Sequence, residues 1–176
     1  FRSDLSMETD SVSMDNISAE YKMTEYLIEL GHKKIAYVGS INATTSIMDR
    51  YLGYRRALHH YNILYREDYL IEDRGEDRLF KELALPEDMP TAFVCNNDEI
   101  ACILIEKLEK MGYSVPEDIS VTGFDNYPFI RRNASGLTTV DVDIAMMASE
   151  GVELLLERLN DKRETFVRRS EEHTSE

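Results

Sequence analysis

Two cysteines, no apolar run of membrane-spanning length and a shortage of positive charge set the first limits on this chain. Cys95 and Cys102 stand seven residues apart, which fits neither a CxxC redox pair nor a zinc site, so both are expected as reduced, buried thiols. No stretch approaches the ~20 apolar residues that span a bilayer, and the opening FRSDLSMETD lacks the apolar core of a secretory signal. A cytoplasmic protein with no membrane partner is therefore expected. Lysine and arginine number 20 against 34 acids, a formal charge of −14 that repels phosphate, and no basic stripe offsets it. DNA contact is expected only through some other part of the protein. There is also no glycine-rich phosphate loop and no serine or cysteine in a nucleophile elbow, so no catalytic residue, cofactor or metal is expected.

What the chain does have is enough apolar content, 43% of 176 residues, to bury a core. The spacing of Ile47, Tyr51, Tyr54, Leu58 and Tyr61 places them on one face of a helix. A similar stripe runs through Ala19, Met23, Tyr26, Leu27 and Leu30, opened by Asp15 or Asn16 as a cap and closed by Gly31. A third joins Ala101, Leu104, Ile105, Leu108 and Met111 behind Asn97 or Asp98, and a fourth joins Ile144, Ala148, Val152, Leu155 and Leu159. Between them lie short runs rich in β-branched or aromatic residues: 35–38, 92–95, 119–122 and 137–140, with a weaker one at 69–71. Strands apolar on both faces that alternate with helices predict an α/β fold, a mostly parallel sheet with helices on both sides. Residues 66–88 are acidic, with only a weak helical stripe (Leu79, Phe80, Leu83), and are expected as a solvated outer element. The tail from Arg169 to Glu176 has no apolar periodicity and looks like translated adapter sequence, so it is set aside as non-native.

In a parallel sheet, ligands bind beyond the carboxyl ends of the strands. The run TAFVCNNDEI delivers Asn97 and Asp98 at such an end, and ISVTGFDN delivers Asp125 and Asn126 at another. Either of Asn97 and Asp98 can cap the following helix, an effect of about 1 kcal/mol, but both cannot occupy one cap site. The other is left to face a ligand. Arg50 lies off the apolar stripe near the start of its helix; its ordinary fate is a solvated charge, and its alternative is a third arm of the site. A guanidinium fork, an amide and a carboxylate together suit a neutral ligand with vicinal hydroxyls, such as a sugar.

The blocks LIELGHKKIAYVGS, DRYLGYRRAL, PTAFVCNNDEIA, GYSVPEDISVTGFDN and LTTVDVD, in that order and spacing, closely resemble the effector-binding core of the lactose/galactose-repressor family of transcription regulators. The resemblance covers about residues 12 to 160, and five ordered blocks are far more specific than any one of them. It implies a periplasmic-binding-protein-like (class I) fold of two α/β subdomains with the effector in the cleft between them. It matches Arg50 to the family's effector-contacting arginine, Asn97 and Asp98 to its Asn-Asp pair, and Asp125 to the acid of its Gly-aromatic-Asp motif. Tyr127, Phe129 and Ile144 are further candidate contacts, against the commoner fate of such side chains as core.

By the same resemblance, residues 1–12 end an N-terminal subdomain, 13–141 form the C-terminal subdomain, and 142–168 carry a helix returning to the first. A helix-turn-helix that reads DNA would precede them all, and a homodimer is implied. The returning helix would lack its packing partner, at roughly 1.5 to 3 kcal/mol for each large apolar side chain left in water, so association or fraying is expected. Two other readings stand beside this one. A sugar-binding protein of an ABC transporter shares the fold, and an enzyme on an α/β scaffold would have to draw on His32, His59 or His60. His32 follows Gly31, where capping of the last helical carbonyls accounts for it.

Overall fold

Leu27, Ile47, Tyr51, Tyr54 and Leu58 are all buried, and so are the strand residues they pack on, Ile35, Tyr37, Ala92 and Val94. In this computed structural model, which describes residues 9–75, 77–127, 136–161 and 165–171, those contacts form one face of a five-stranded sheet. The elements run β1 (Ser11–Met14), α1 (Asn16–Glu29), β2 (Ile35–Val38), α2 (Thr45–His60), a short 3₁₀ turn (Glu67–Tyr69), β3 (Leu70–Ile71), β4 (Ala92–Cys95), α3 (Asp98–Lys110), β5 (Ser120–Asp125), β6 (Thr138–Asp141), α4 (Ile144–Asp161) and β7 (Arg168–Glu171). They divide into two compact units, Asn16–Asp141 and the combination of Phe1–Asp15 with Val142–Glu176.

The unit Asn16–Asp141 holds the sheet in the order β3-β2-β4-β5-β6, every pair parallel. α1 and α2 cover one face. On the other, α3 lays Ile100, Ala101, Leu104 and Leu108 over Ala36, Val38, Phe93, Cys95 and Val121. Both faces of β2 and β4 are therefore buried, which explains their unbroken apolar runs. The buried phenols are satisfied: Tyr37 donates to the Ile47 carbonyl at 3.1 Å and Tyr54 to the Ile35 carbonyl at 2.8 Å. β2 has β3 on one side and β4 on the other, so the direction of winding reverses between β2 and β4, and the crevice beyond their carboxyl ends is where such sheets take ligands.

Within residues 66–88 the weak strand run expected at 69–71 forms, whereas the weak stripe at 79–83 forms no helix. The run contributes the edge strand β3, and of the supposed stripe Leu83 is buried whereas Leu79 and Phe80 are exposed. At the opposite end of the sheet, His32 staples two loops: Nδ1 lies 2.9 Å from Thr91 Oγ1 and Nε2 lies 3.0 Å from Ser120 Oγ. Its backbone N–H also caps the Leu27 carbonyl at 3.2 Å.

In the other unit β1 pairs in parallel with β7, Ser11 opposite Arg168 and Met14 opposite Glu171. Arg169, Ser170 and Glu171, set aside as tail on sequence grounds, thus extend a strand, and Arg169 reaches Glu150, Glu153 and Glu157 on α4. Asp10 clasps Arg158 through Nε at 2.6 Å and Nη2 at 3.0 Å. The stripe Ile144, Ala148, Val152, Leu155 and Leu159 on α4 is exposed; the buried apolar residue of that helix is Leu154.

Candidate functional site

At the end of β4 the chain must leave the sheet and start α3 at once, because Cys95 is the last strand residue and Asp98 the first helical one. Asn97 takes the cap: its Oδ1 accepts the Ile100 N–H at 2.9 Å. Its Nδ2 has no partner among the described residues, so one residue serves as both cap and open donor.

Asp98 turns the other way. It is 3% exposed, and its oxygens accept Thr139 Oγ1 at 2.5 Å and the Tyr127 N–H at 2.9 Å. Burial pushes its carboxyl above the ordinary range, against the lowering effect of those two bonds. The approach depends on Gly123, where a Cβ would fall 2.3 Å from Asp98 Oδ1. Of the Asn-Asp pair, then, Asn97 offers a free group, and Asp98 ties the start of α3 to the ends of β5 and β6.

Asn96 is buried and belongs to the scaffold. Its Nδ2 donates to the Val38 carbonyl at 3.0 Å and to Asp73 Oδ2 at 2.9 Å. Asp73 also accepts the Ser40 N–H at 2.8 Å and pairs with Arg74 at 2.7 Å. Burial acts to raise the Asp73 carboxyl, but the bonds from Arg74, Asn96 and Ser40 outweigh it and hold the group below the usual range. The ends of β2, β3 and β4 are thereby locked together.

Arg50 extends from α2 across these strand ends. Nε donates to Asn16 Oδ1 at 2.9 Å, Nη1 to the Asn96 carbonyl, and Nη2 to Asp125 Oδ1 at 3.1 Å, while Cζ stacks 3.6 Å from the centroid of the Phe124 ring. The guanidinium is nearly buried and the Asp125 side chain is 40% exposed, so the pair has one dry and one open member. Asp125 and Asn126 both hold positive φ, +97° and +49°, a conformation unfavourable for side-chain-bearing residues and concentrated in proteins at functional sites. Asp125 Oδ2 has no partner among the described residues, and Asn126 Nδ2 donates to Asp141 Oδ1 at 2.8 Å.

The structure therefore brings Arg50 and Asp125 into contact and sets Asn97 at the neighbouring strand end. Tyr127 lends its backbone N–H to Asp98 and leaves its ring exposed; Ile144 is exposed on α4, in the other unit; Phe129 lies outside the described residues. Sequence reasoning missed Asn16, Phe124 and Thr139, which hold the site together, and Glu20, which lies within the electrostatic reach of Arg50 and Asp125. Glu20 had a signal: it falls three and seven residues before Met23 and Leu27, on the buried face of α1. The open groups are one amide donor and one carboxylate acceptor beside a committed guanidinium, which suits hydrogen bonding to an uncharged polar molecule. Among the described residues no cluster of side chains could hold a metal ion.

The sequence profile of the periplasmic binding protein-like domain matches residues 24–174. The chain is 31% identical over 166 residues to an arabinose metabolism transcriptional repressor of Geobacillus stearothermophilus, covering 90% of this chain and 45% of that protein. It is 32% identical over 162 residues to the HTH-type transcriptional repressor PurR of Vibrio vulnificus (strain CMCP6), covering 90% and 48%. It spans about half the length of the curated relatives it matches. Among solved structures, a LacI family transcriptional regulator from Enterococcus faecium with bound ribose superposes with a TM-score of 0.74 at 27% identity, over 92% of this chain and 61% of that one. Arrangement, profile and relatives agree: the chain belongs to the periplasmic binding protein-like domain family, in the company of LacI-type transcription regulators.

Proposed function

We propose that this chain is the effector-binding and dimerising part of a cytoplasmic DNA-binding transcription regulator, and that its effector is a sugar or sugar derivative. The observation that carries the reading is the Arg50–Asp125 pair, laid across strand ends beside the open Asn97 amide. Arg50, Asn97 and Asp125 contact the effector; Asp98 holds Tyr127 and the strand ends in place around it, and Tyr127 is an outer contact. Asn97 and Asp125 bond the hydroxyls, and Arg50 orients Asp125. A relative that represses arabinose metabolism and one that was solved with bound ribose support a sugar.

In a polypeptide of the length of those relatives, residues 16–141 form one of two subdomains and the effector bridges both. A ligand that binds the closed arrangement more tightly shifts the angle between them, and in a homodimer that angle sets how two helix-turn-helix modules meet their half-sites. The protein has no catalytic role in this scheme, so the ligand leaves chemically unchanged.

Calorimetric titration of the full-length protein with pentoses, hexoses and nucleobases tests the reading. A saturable sugar, recovered intact, supports it; binding of nucleobases alone, or turnover of the sugar, overturns it.

A further inference from the structure

Glu20 lies in the middle of α1 with no solvent exposure, and neither carboxylate oxygen has a hydrogen-bond partner. The nearby Thr24 hydroxyl donates to the Glu20 backbone carbonyl at 2.9 Å, away from the acid. Nor does the helix leave room for the side chain to swing out past α2. The two helices meet backbone to backbone at Gly53, where an added Cβ would fall 2.3 Å from the Ile17 carbonyl oxygen and 3.0 Å from Glu20 Cβ. An ionised carboxylate held dry and unpaired is strongly disfavoured, so this residue is uncharged in the arrangement described.

The charged and titratable groups within its electrostatic reach come from four elements. Arg50 on α2 favours its ionisation and Asp125 on β5 opposes it, while Tyr37 on β2 and Cys95 on β4 lie within its field and are kept neutral by their own burial. Among the described residues, the other buried side-chain atom without a partner is Asn96 Oδ1. Alternation along β4 puts Asn96 on the face of Val94, the face that α1 and α2 cover. All three orphaned atoms are acceptors, and a proton on Glu20 converts one of them into a donor.

Arg50 is the cation within range, and three of its five N–H donors, one on each nitrogen, go to Asn16, the Asn96 carbonyl and Asp125. The Asp125 bond is the longest, 3.1 Å, and its partner is the half-exposed one. A negative charge on Glu20 would compete for the guanidinium at that bond first.

We propose that Glu20 is a proton-linked positioning residue for Arg50: with its proton it leaves the guanidinium on Asp125, and on losing the proton to solvent it draws the guanidinium inward and frees Asp125 for the effector. The inference rests on the reading that Asp125 binds effector. Burial, against the opposing pull of Arg50, raises the midpoint of the ionisation to about 8, so both forms exist near neutral pH.

The test is an NMR titration of the 176-residue chain, following glutamate carboxyl carbons and the Arg50 Nε–H resonance, the latter assigned with Arg50→Lys. One glutamate should titrate near pH 8 and vanish from the spectrum of Glu20→Gln. The Arg50 resonance should move with the same midpoint and become independent of pH in Glu20→Gln. If every glutamate titrates in the ordinary carboxylate range, or Arg50 stays still while Glu20 ionises, the inference is overturned. The first of these readouts comes from the unsubstituted chain, so a poorly folding variant does not rescue it. Neither needs a sugar, so a failure here is distinct from a failure of Asp125→Ala to affect D-ribose binding, which would overturn the site instead.

Discussion

Arg50 Nη2 lies 3.1 Å from Asp125 Oδ1, and the two residues are joined across the carboxyl ends of the sheet although 75 positions separate them in the chain. Phe124 stacks on the guanidinium and Asn16 accepts from its Nε, while Asp125, held at positive φ, keeps its carboxylate partly exposed. The site is thus built before any ligand arrives, which lowers the ordering cost of binding.

Asn97 is expected to have two separable roles. Asn97→Ala should cost about 1 kcal/mol of stability through the lost cap and also weaken effector binding. Asn97→Ser keeps a capping oxygen but removes the amide donor, so affinity should fall roughly tenfold with the unfolding midpoint nearly unchanged. Calorimetry and urea denaturation of both variants check this; equal affinity for wild type and Asn97→Ser would make Asn97 a cap alone.

Glu20 should leave a mark on the stability profile. Its carboxyl is raised from 4.5 to about 8 by burial, so the folded state holds the proton more tightly than the unfolded chain does. Stability is then greatest below pH 4.5 as far as this group is concerned and declines as pH rises toward 8, by a total near pH 7 of about 3 kcal/mol. Glu20→Gln should remove that decline, leaving the variant more stable than wild type at neutral pH and similar to it in acid, as read by denaturant unfolding across pH.

His32 should act with the opposite sign. Burial holds its imidazole below the ordinary value of 6.5, so the neutral ring is favoured in the fold and protonation favours unfolding. Its contribution is present above pH 6.5 and lost as pH falls through the depressed folded value. His32→Ala should cost about 1–2 kcal/mol at neutral pH, from the bonds to Thr91 and Ser120, and flatten the acid side of the profile.

Gly53 is the contact point of α1 and α2. Gly53→Ala places a methyl 2.3 Å from the Ile17 carbonyl oxygen and 2.9 Å from the Tyr21 nitrogen, both backbone atoms that move only with their helix. The expected loss is about 2–3 kcal/mol in spite of alanine's better helix propensity, measured by thermal unfolding. An increase in stability would show that the two helices separate freely.

The strands β2 and β4 could be read from the sequence to the residue, because burial on both faces selects an unbroken run such as IAYV or AFVC. β1 and β7 could not. SVSM is only half-buried and RRSE is charged, so pairing with each other, a relationship between residues 11 and 168, makes them strands. Within residues 66–88 the weak apolar run at 69–71 was legible and does join β2, whereas the stripe Leu79, Phe80 and Leu83 suggested a helix that the chain does not form there. At the site, the residue types and their strand-end positions were legible for Arg50, Asn97 and Asp125. That Asp98 would turn inward was not, since its partner Thr139 lies 41 residues away. Glu20 was hidden by its own charge: its spacing put it on the apolar face, and acids are rarely assigned there.

The most direct test of the account is Asp125→Ala in the full-length protein, with D-ribose and L-arabinose titrated by calorimetry and operator binding measured without sugar. Loss of sugar affinity by ten- to a hundredfold, about 1–3 kcal/mol, with operator binding intact is the expected result. Unchanged sugar affinity accompanied by loss of operator binding would contradict it.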